Sequence, residues 1–247
     1  MKVKITISYD GSAFMGSQSQ KSTPKTVMGT FQGVLCNLGI TDIAIASGRT
    51  DRDVHATGQV LHVSLPEFWN RLDKLKAMLN HQLPRSLHVR EIQGVEDDFH
   101  ARYSATRRIY RYVLSKQEEN PFEAPYISFV KTLDFKKISH AIKLFEGEHD
   151  FKNFMKNGSD TKSSIRIIYK AFAYQSKGKT ILYFEANGFL RSQIRLMMGF
   201  LLGISEKKLS PEQLKEQLTC KAIHSRKLAP PQGLYLAKIK YRIFGTH

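Results

Sequence analysis

The sequence predicts an α+β protein made of two ferredoxin-like lobes, each with the element order βαββαβ. Stretches with apolar residues at every second position alternate with stretches whose apolar residues recur every three or four positions, as strands and helices require. This order runs through the first half of the chain and again through the second. We therefore expect lobes at residues 1–104 and 105–247, joined in one long mixed sheet with helices on one face and a basic cleft on the other.

The first lobe begins with a strand and continues with a helix. Apolar residues occupy alternate positions of Lys2–Tyr9, which predicts a strand with one buried face. Thr23-Pro24 predicts a helix start, since a hydroxyl group caps the helix and proline fits its first turn. Gly39 is placed to end that helix. The remaining elements are strands at 42–46, 59–65 and 87–95 and a helix whose apolar stripe is Phe68, Leu72, Leu75 and Leu79.

The second lobe repeats the same order of elements. Strands are expected at 109–114, 165–174, 180–186 and 234–243. Two helical stripes lie between them, Phe135, Ile138, Ile142 and Phe145, and then Leu190, Ile194, Met197 and Leu201. Ser210-Pro211 with Gln213 is close to a capping box and predicts an additional short helix.

The charge of the chain indicates a polyanionic partner. Its 247 residues include 38 Lys and Arg against 22 Asp and Glu, a net charge of +16. Like charges repel on a folded surface, so such an excess fits nucleic acid better than the alternative of a merely solubilising surface.

The composition also bears on the compartment. Cys36 and Cys220 are far apart and in no paired spacing, which is typical of a reducing cytoplasm. The alternating first residues do not resemble a signal peptide, and the most apolar stretch, Phe189–Ile204, is too short and too charged to span a bilayer. We therefore expect a cytoplasmic protein without a membrane partner.

The most unusual stretch is the polar segment Ala46–Val60. It is far longer than a hairpin between two strands requires, and it concentrates charged side chains together with one histidine and one glutamine. These residue types also suit an ordinary solvated loop. What favours a site here is a resemblance that extends along the chain.

Gly48-Arg-Thr-Asp51, with Val54-His55-Ala56 and Gly58-Gln59-Val60, resembles the active-site loop of the tRNA pseudouridine synthase A family. Other blocks resemble that family in the same order. They are Tyr9-Asp-Gly-Ser-Ala-Phe14 with Gly16 and Gln18; Leu79-Asn80 with Leu83-Pro84; Phe99-His-Ala-Arg-Tyr-Ser-Ala105 with Arg108, Tyr110 and Tyr112; Gly147-Glu-His-Asp-Phe151; Phe189-Leu190 with Arg195; and Pro231 with Gly233-Leu234-Tyr235-Leu236.

The resemblance implies an isomerase that converts uridine to pseudouridine in the anticodon stem-loop of tRNA, at tRNA positions 38, 39 and 40. The target nucleotide would be flipped out of the stack. Asp51 would be the catalytic carboxylate; whether it attacks the uracil ring, attacks C1′ or removes a sugar proton stays open. The resemblance also implies a homodimer and no small-molecule cofactor.

Three further residues receive roles from the resemblance. Arg195 would be the ion-pair partner that keeps Asp51 ionised, although a helix-surface arginine is the simpler interpretation of its position. Tyr110 would stack on the target uracil, while a strand tyrosine more often packs in the core. Leu234 would line the other side of the pocket; the sequence alone makes it a core leucine.

Basic residues near these motifs suit RNA binding. Arg49 would help to displace and hold the flipped nucleotide, by resemblance. Arg102 and Arg108 lie among tyrosines, a mixture that fits RNA backbone and unstacked bases. A solvated strand face is the alternative, and strand alternation means that the arginines of 102–111 do not all point to one side.

Two positions depart from the family pattern. Asp53 stands where the family usually has a glycine, and aspartate tolerates a positive φ better than most residues. Ser17 stands where the family commonly has a tryptophan, so a packing or stacking group is absent. Both leave room for an altered substrate preference or reduced activity.

Other functions are weaker interpretations of the same sequence. His55 and His149-Asp150 occur in no HExxH or other metal-ligand spacing, so we expect structural histidines and no metal. A non-catalytic RNA-binding protein of this fold would leave Asp51 and Arg195 unexplained. A nuclease would need clustered carboxylates for metal ions.

Overall fold

The computed structural model describes residues 1–156, 158 and 161–242, and it confirms the α+β class. The chain groups into two compact units. The first contains residues 1–106 together with the described residues from Tyr235 onward, and the second contains 107–234. The last strand thus belongs by its contacts to the first unit, whereas the sequence-based division assigned it to the second lobe.

The strands are β1 Lys2–Tyr9, β2 Ile45–Ala46, β3 His55–Ser64, β4 Leu87–Gly94, β5 Ala105–Ser115, β6 Ser128–Phe129, β7 Gly147–Asp150, β8 Ile165–Ser176, β9 Lys179–Ala186 and β10 Leu234–Tyr241. The helices are α1 Val27–Asn37, α2 Leu72–Gln82, α3 Phe135–Ala141, α4 Gln193–Ser205 and α5 Pro211–Leu218. Each half of the chain contains the predicted order of strands and helices; β6 and β7 are additions. Ile243, the expected end of the last strand, lies outside the described residues. No helix among the residues described above is long and apolar enough to cross a membrane.

In the first unit, β1 lies between β3 and β4 and is antiparallel to both. The alternation in β1 is realised as predicted, since Val3, Ile5 and Ile7 are fully buried. β10 adds to β3 in parallel, with Tyr235 opposite His55. The two backbones meet closely, because a Cβ on Gly58 would lie 2.4 Å from the carbonyl oxygen of Ala237.

The predicted start of α1 is wrong by three residues. Thr26 is the N-cap, and its hydroxyl accepts the N–H of Gly29 at 3.0 Å. The hydroxyl of Thr23 instead accepts the N–H of Lys25, a local turn that lies before the helix. Gly39 follows α1 with φ of 72°, as expected for a residue that ends a helix.

Two further boundaries differ from the prediction. β3 begins at His55 rather than at Gln59, so the polar loop between strands shortens to residues 47–54. Phe68 precedes α2 and is 65% exposed, so it is not part of that helix's buried stripe. Leu75 and Leu79 do form that stripe.

In the second unit, β9 is antiparallel to both β5 and β8, and β7 pairs with β8. One side of β5 and β9 is buried through Tyr112, Leu182 and Phe184, and almost all of α4 is buried as well. α5 begins with the expected capping box of Ser210 and Gln213. The second unit therefore has a helix-covered side and a side whose residues are half-exposed.

Candidate active site

The loop 47–54 in the first unit carries the predicted catalytic aspartate. Its first residues are tied to β3, since the N–H of Ser47 donates to the oxygen of Val60 at 2.8 Å. The side-chain amide of Gln59 donates to the oxygen of Gly48 at 2.8 Å. Gln59 is 1% exposed, so this contact is shielded from water.

The centre of the loop is held at Thr50. The hydroxyl of Ser17 accepts the N–H of Thr50 at 2.8 Å, and the N–H of Ser17 donates to the oxygen of Thr50 at 3.2 Å. The hydroxyls of Tyr9 and Thr50 are 2.8 Å apart. Burial raises the pKa of Tyr9 to about 12, so the phenol keeps its proton near neutral pH.

The end of the loop is fixed by His55. Its Nδ1 accepts the N–H of Gly11 at 3.0 Å, and its ring stacks on Tyr235 at 4.8 Å. Space here is tight, because a Cβ on Gly11 would lie 2.2 Å from the oxygen of Val54. His55 is 2% exposed, so water has little access to these contacts.

The backbone of this loop is therefore fixed by hydrogen bonds at its start, at its centre and just beyond its end. Arg49 is exposed, Asp51 is half-buried, and Thr50 between them is buried. Asp53 has φ of 63°, the conformation that glycine adopts most easily. The sequence anticipated this possibility, and the Asp53 carboxylate points toward Arg52, with Oδ2 at 3.8 Å from Nε.

In the second unit, Arg195 lies on α4 and is anchored by the segment before β10. Its Nε donates to the oxygen of Ala229 at 2.9 Å, and the N–H of Ala229 donates back to the oxygen of Arg195. The helix and the segment are in direct contact, since a Cβ on Gly199 would lie 1.9 Å from the oxygen of Lys227. The guanidinium is therefore held by its inner nitrogen.

Tyr110 and Leu234 belong to the same unit as Arg195. Tyr110 is 8% exposed and meets the ring of Phe189 edge-on at 5.2 Å. Tyr112, on the same side of β5, donates to the oxygen of Pro230 at 2.6 Å, and the charge of Arg195 is close enough to act on its hydroxyl. Leu234 is 6% exposed, and its N–H donates to the oxygen of Pro231.

The basic residues near β5 divide between its two sides, as alternation requires. Arg107 pairs with the buried Glu185 at 2.9 Å and lies 4.3 Å from the ring centre of Tyr169. Arg108 donates instead to the oxygen of Asn187 at 3.0 Å. Arg102 lies before β5, in the first unit, and is exposed.

Nothing in the described part of the chain brings together three or more His, Cys, Asp or Glu side chains that could hold a metal ion. Nε2 of His149 donates to the backbone oxygen of Glu146 in its own turn, at 3.0 Å. The two histidines considered for metal chemistry thus both have backbone partners.

The supporting residues of the loop were not identified from the sequence. Ser17 was noted only for the absent tryptophan, and Tyr9 only for its place in a strand and in a block that resembles the family. Their hydrogen bonds to Thr50 join positions 33 and 41 residues apart. The one available signal was that both lie in the first block that resembles the family.

Comparisons with known proteins agree on one family. The profile of the family described as tRNA pseudouridine synthase matches residues 5–104 and 141–242. The tRNA pseudouridine synthase A of Campylobacter jejuni subsp. jejuni serotype O:6 is 41% identical over 241 residues, which cover 98% of this chain and 100% of that protein. The proteins of the same name from Helicobacter hepaticus and Wolinella succinogenes are 41% and 40% identical, covering 97% and 95% of this chain and 98% and 92% of those proteins.

Among solved structures, the crystal structure of a Cbf5-Nop10-Gar1 complex covers 81% of this chain and 44% of the matched one. Its TM-score is 0.39 at 12% identity, a likeness too weak to bear on the fold or on the chemistry.

Proposed function

The chain belongs to the tRNA pseudouridine synthase family and is an isomerase acting on tRNA uridine, and we propose that its substrate is the anticodon stem-loop, at positions 38, 39 and 40, with Asp51 as the catalytic residue. The observation that carries this proposal is the loop 47–54, which is held by hydrogen bonds from Ser17, Tyr9 and Gln59 and carries the half-buried side chain of Asp51. A reactive group on a preorganised backbone is what catalysis requires.

The reaction needs little else from the protein. The bond between C1′ and N1 of uracil breaks, the base turns, and a bond between C1′ and C5 forms. The proton that leaves C5 is balanced by the one that N1 gains, so nothing is oxidised or reduced. One carboxylate, acting as nucleophile or as base, and a pocket for the detached base are sufficient.

Arg195 is proposed as the ion-pair partner that favours the charged form of Asp51. Support comes from how the guanidinium is oriented, since Nε is occupied by the oxygen of Ala229 at 2.9 Å. A guanidinium held at Nε presents its outer nitrogens in one direction, and such a fork matches a carboxylate at two points.

Tyr110 is proposed to stack on the target uracil, and Leu234 to line the other side of the base. The ring of Tyr110 meets the ring of Phe189 edge-on, with the ring centres 5.2 Å apart. Leu234 is positioned by the turn at Pro231. Stacking of a base on an aromatic ring contributes about 1–3 kcal/mol once the nucleotide has been flipped out.

The exposed arginines are proposed to bind the RNA strand. Arg49 lies two residues before Asp51 and would hold the flipped nucleotide. Arg102 and Arg108 would contact the backbone near it. The excess of positive charge, +16, supports a partner with many phosphates, because each neutralised phosphate releases counterions.

We also propose that the protein acts as a homodimer in the cytoplasm. The half-exposed side of the second unit supports self-association, because Phe172 stacks on Tyr183 at 4.7 Å and Tyr174 lies 5.9 Å from Phe172. Aromatic surface of this kind is enriched at interfaces between proteins. Sedimentation of the pure protein tests this part; a monomer at all concentrations would contradict it.

The central test follows tritium release from unmodified tRNA labelled at C5 of uridine. Asp51→Asn should reduce the rate by about 10²–10⁴-fold, because it removes the reactive group and keeps the shape. Asp53→Asn is the matched control, because it removes another carboxylate from the same loop. This variant should keep most of the activity. Wild-type protein that binds tRNA but releases no tritium would instead indicate a non-catalytic RNA-binding protein.

A further inference from the structure

The turn at 99–104 in the first unit is unusually well fixed. Nδ1 of His100 accepts the N–H groups of Arg102 and Tyr103, at 3.1 and 3.3 Å. The N–H of His100 donates to the hydroxyl of Ser104 at 3.0 Å, and the N–H of Ser104 donates back to the oxygen of His100 at 2.9 Å. The side chain of His100 therefore organises the turn that follows it.

Two side chains from the sheet hold the same turn from below. The hydroxyl of Tyr241 donates to the oxygen of Ala101 at 2.8 Å. Nδ1 of His62 accepts the N–H of Ala101 at 3.1 Å. Burial, and then the neighbouring charges of His100 and Lys2, lower the pKa of His62 against the opposing effect of Asp42. His62 is therefore neutral near pH 7 and keeps its acceptor nitrogen.

This rigid turn presents an aromatic ring to solvent. Tyr103 is 76% exposed, and its ring lies 4.3 Å from that of His100 at an angle of 33°. His100 in turn lies 4.7 Å from His62. The guanidinium carbon of Arg102 is 5.6 Å from the centre of the Tyr103 ring. Tyr103 is thus the outermost of three neighbouring rings and contributes little to the core.

We propose that Tyr103, supported by His100 and His62, is a stacking platform for an unpaired nucleobase of the RNA substrate, outside the catalytic loop. A base in a duplex already has both faces covered by its neighbours. An exposed aromatic ring therefore stacks preferentially on an unpaired base. Arg102 beside the ring supplies a cation for the adjoining phosphate. This inference rests on the proposed function only for the identity of the RNA.

Charge favours RNA over a protein as the occupant. Lys4 lies 5.9 Å from the ring centre of Tyr241, which supports the turn, and Lys2 binds the backbone oxygen of Asp97 beside it. Arg102 is exposed next to the platform. An exposed aromatic ring with an arginine beside it is typical of surfaces that bind single-stranded nucleic acid.

The test compares dissociation constants for tRNA at one fixed salt concentration. Tyr103→Ala should weaken binding by about 5- to 150-fold, the equivalent of one lost stacking contact of about 1–3 kcal/mol. Tyr103→Phe should bind within about twofold of the wild type, because the ring is what stacks. Tyr103→Leu, apolar but without a π face, should resemble the alanine variant. The matched control is Phe122→Ala, which removes a ring that is 86% exposed in the second unit and should leave affinity unchanged.

Several outcomes would overturn the platform. Wild-type affinity in Tyr103→Ala, or full affinity in Tyr103→Leu, would exclude stacking. Altered sedimentation of Tyr103→Ala with unchanged tRNA affinity would make the ring a contact between proteins. Thermal unfolding of each variant checks that the turn is intact, which we expect since the ring is largely exposed. Tritium release by the wild type, measured in parallel, reports on the proposed function separately from the platform.

Discussion

The hydroxyl of Ser17 should stabilise the loop that carries Asp51, and Ser17→Ala isolates that contribution. The variant removes one oxygen that accepts the N–H of Thr50 at 2.8 Å and donates to the oxygen of Thr50 at 3.3 Å. Ser17 is 3% exposed and Thr50 is 9% exposed, so water has little access to replace it. The oxygen of Thr50 keeps a second partner, the N–H of Ser17 at 3.2 Å.

The expected loss follows from which group is left unpaired. Only the N–H of Thr50 loses its partner, and a buried donor without a partner costs about 1–3 kcal/mol. A value near the middle of that range, about 2 kcal/mol, would lower the midpoint of urea unfolding by about 1 M for a slope of about 2 kcal/mol/M. The slope itself should not change.

The same variant should slow the chemical step. Asp51 directly follows Thr50, so a shift of the Thr50 backbone moves the carboxylate, and a misplacement of about 1 Å can cost about 10²-fold in rate. Single-turnover tritium release should therefore fall by about tenfold or more, while the dissociation constant for tRNA stays the same. A purely structural role for Ser17 would lower stability without slowing turnover of the folded protein.

Ser12→Ala is the control, because its hydroxyl binds Asp10 at the surface and does not touch the loop. It should change neither stability nor rate by a measurable amount. If Ser17→Ala unfolds within about 0.3 kcal/mol of the wild type and turns over normally, the assumption that Thr50 depends on this hydroxyl is refuted. Ser17→Cys keeps the shape of the side chain but offers only a weak acceptor. Its stability and its rate should therefore lie between those of the wild type and those of Ser17→Ala.

Two other predictions concern stability. Gly199→Ala should destabilise the protein by about 1–3 kcal/mol or more, because its Cβ would meet the backbone oxygen of Lys227. Gly33→Ala, in the middle of α1 with open space around it, should stabilise the protein by about 0.5–1 kcal/mol. Equal effects of the two substitutions on urea unfolding would contradict the packing argument. Because the folded pKa of His62 is lowered, its neutral form contributes stability above the unfolded pKa of about 6.5, and this is lost as the pH falls below that value. The difference in unfolding midpoint between wild type and His62→Gln should therefore shrink from pH 7.5 to pH 5.5, and a constant difference would show that titration of His62 plays no part.

The sequence predicted the elements well where the signal is local. The alternation in β1 and the capping box of α5 are properties of neighbouring residues, and both are realised. The start of β3 is different. Ala56 pairs with Tyr9 of β1, and His55 and Ala56 pair with Tyr235 and Leu236 of β10, which lie 180 residues further along the chain. Periodicity within a short window cannot register such a partner.

The start of α1 shows a second limit. Thr23 and Thr26 are both hydroxyl residues near the helix start, and the sequence favoured the one followed by proline. In the structure Thr23 closes a small turn with Lys25, while Thr26 accepts the N–H of Gly29. Both candidate N-caps are threonines, so their side-chain chemistry is the same. Which one caps the helix depends on the course of the surrounding backbone, which local propensity does not encode.

The candidate site shows the same difference between residues that local motifs identify and residues that only long-range contacts reveal. The resemblance singled out Asp51, Arg49 and the other residues with proposed roles, because each lies in a recognisable block. The support beneath Asp51 was not anticipated, since Ser17 and Tyr9 act through contacts with Thr50 across 33 and 41 residues. Chemistry-bearing residues are visible as motifs, whereas the residues that position them are visible only once the chain is folded.

Both departures from the family pattern concern the backbone of this loop. Asp53 adopts φ of 63°, so the position keeps the conformation of a glycine although its residue type differs. At position 17, where the resembled family commonly has a tryptophan, the hydroxyl of Ser17 accepts the N–H of Thr50 at 2.8 Å. Neither change removes a group from the proposed chemistry. We therefore expect Ser17→Trp to disturb the loop rather than improve it, because a side chain of that size has no room at a position that is 3% exposed. A faster Ser17→Trp variant in the tritium assay would refute this interpretation.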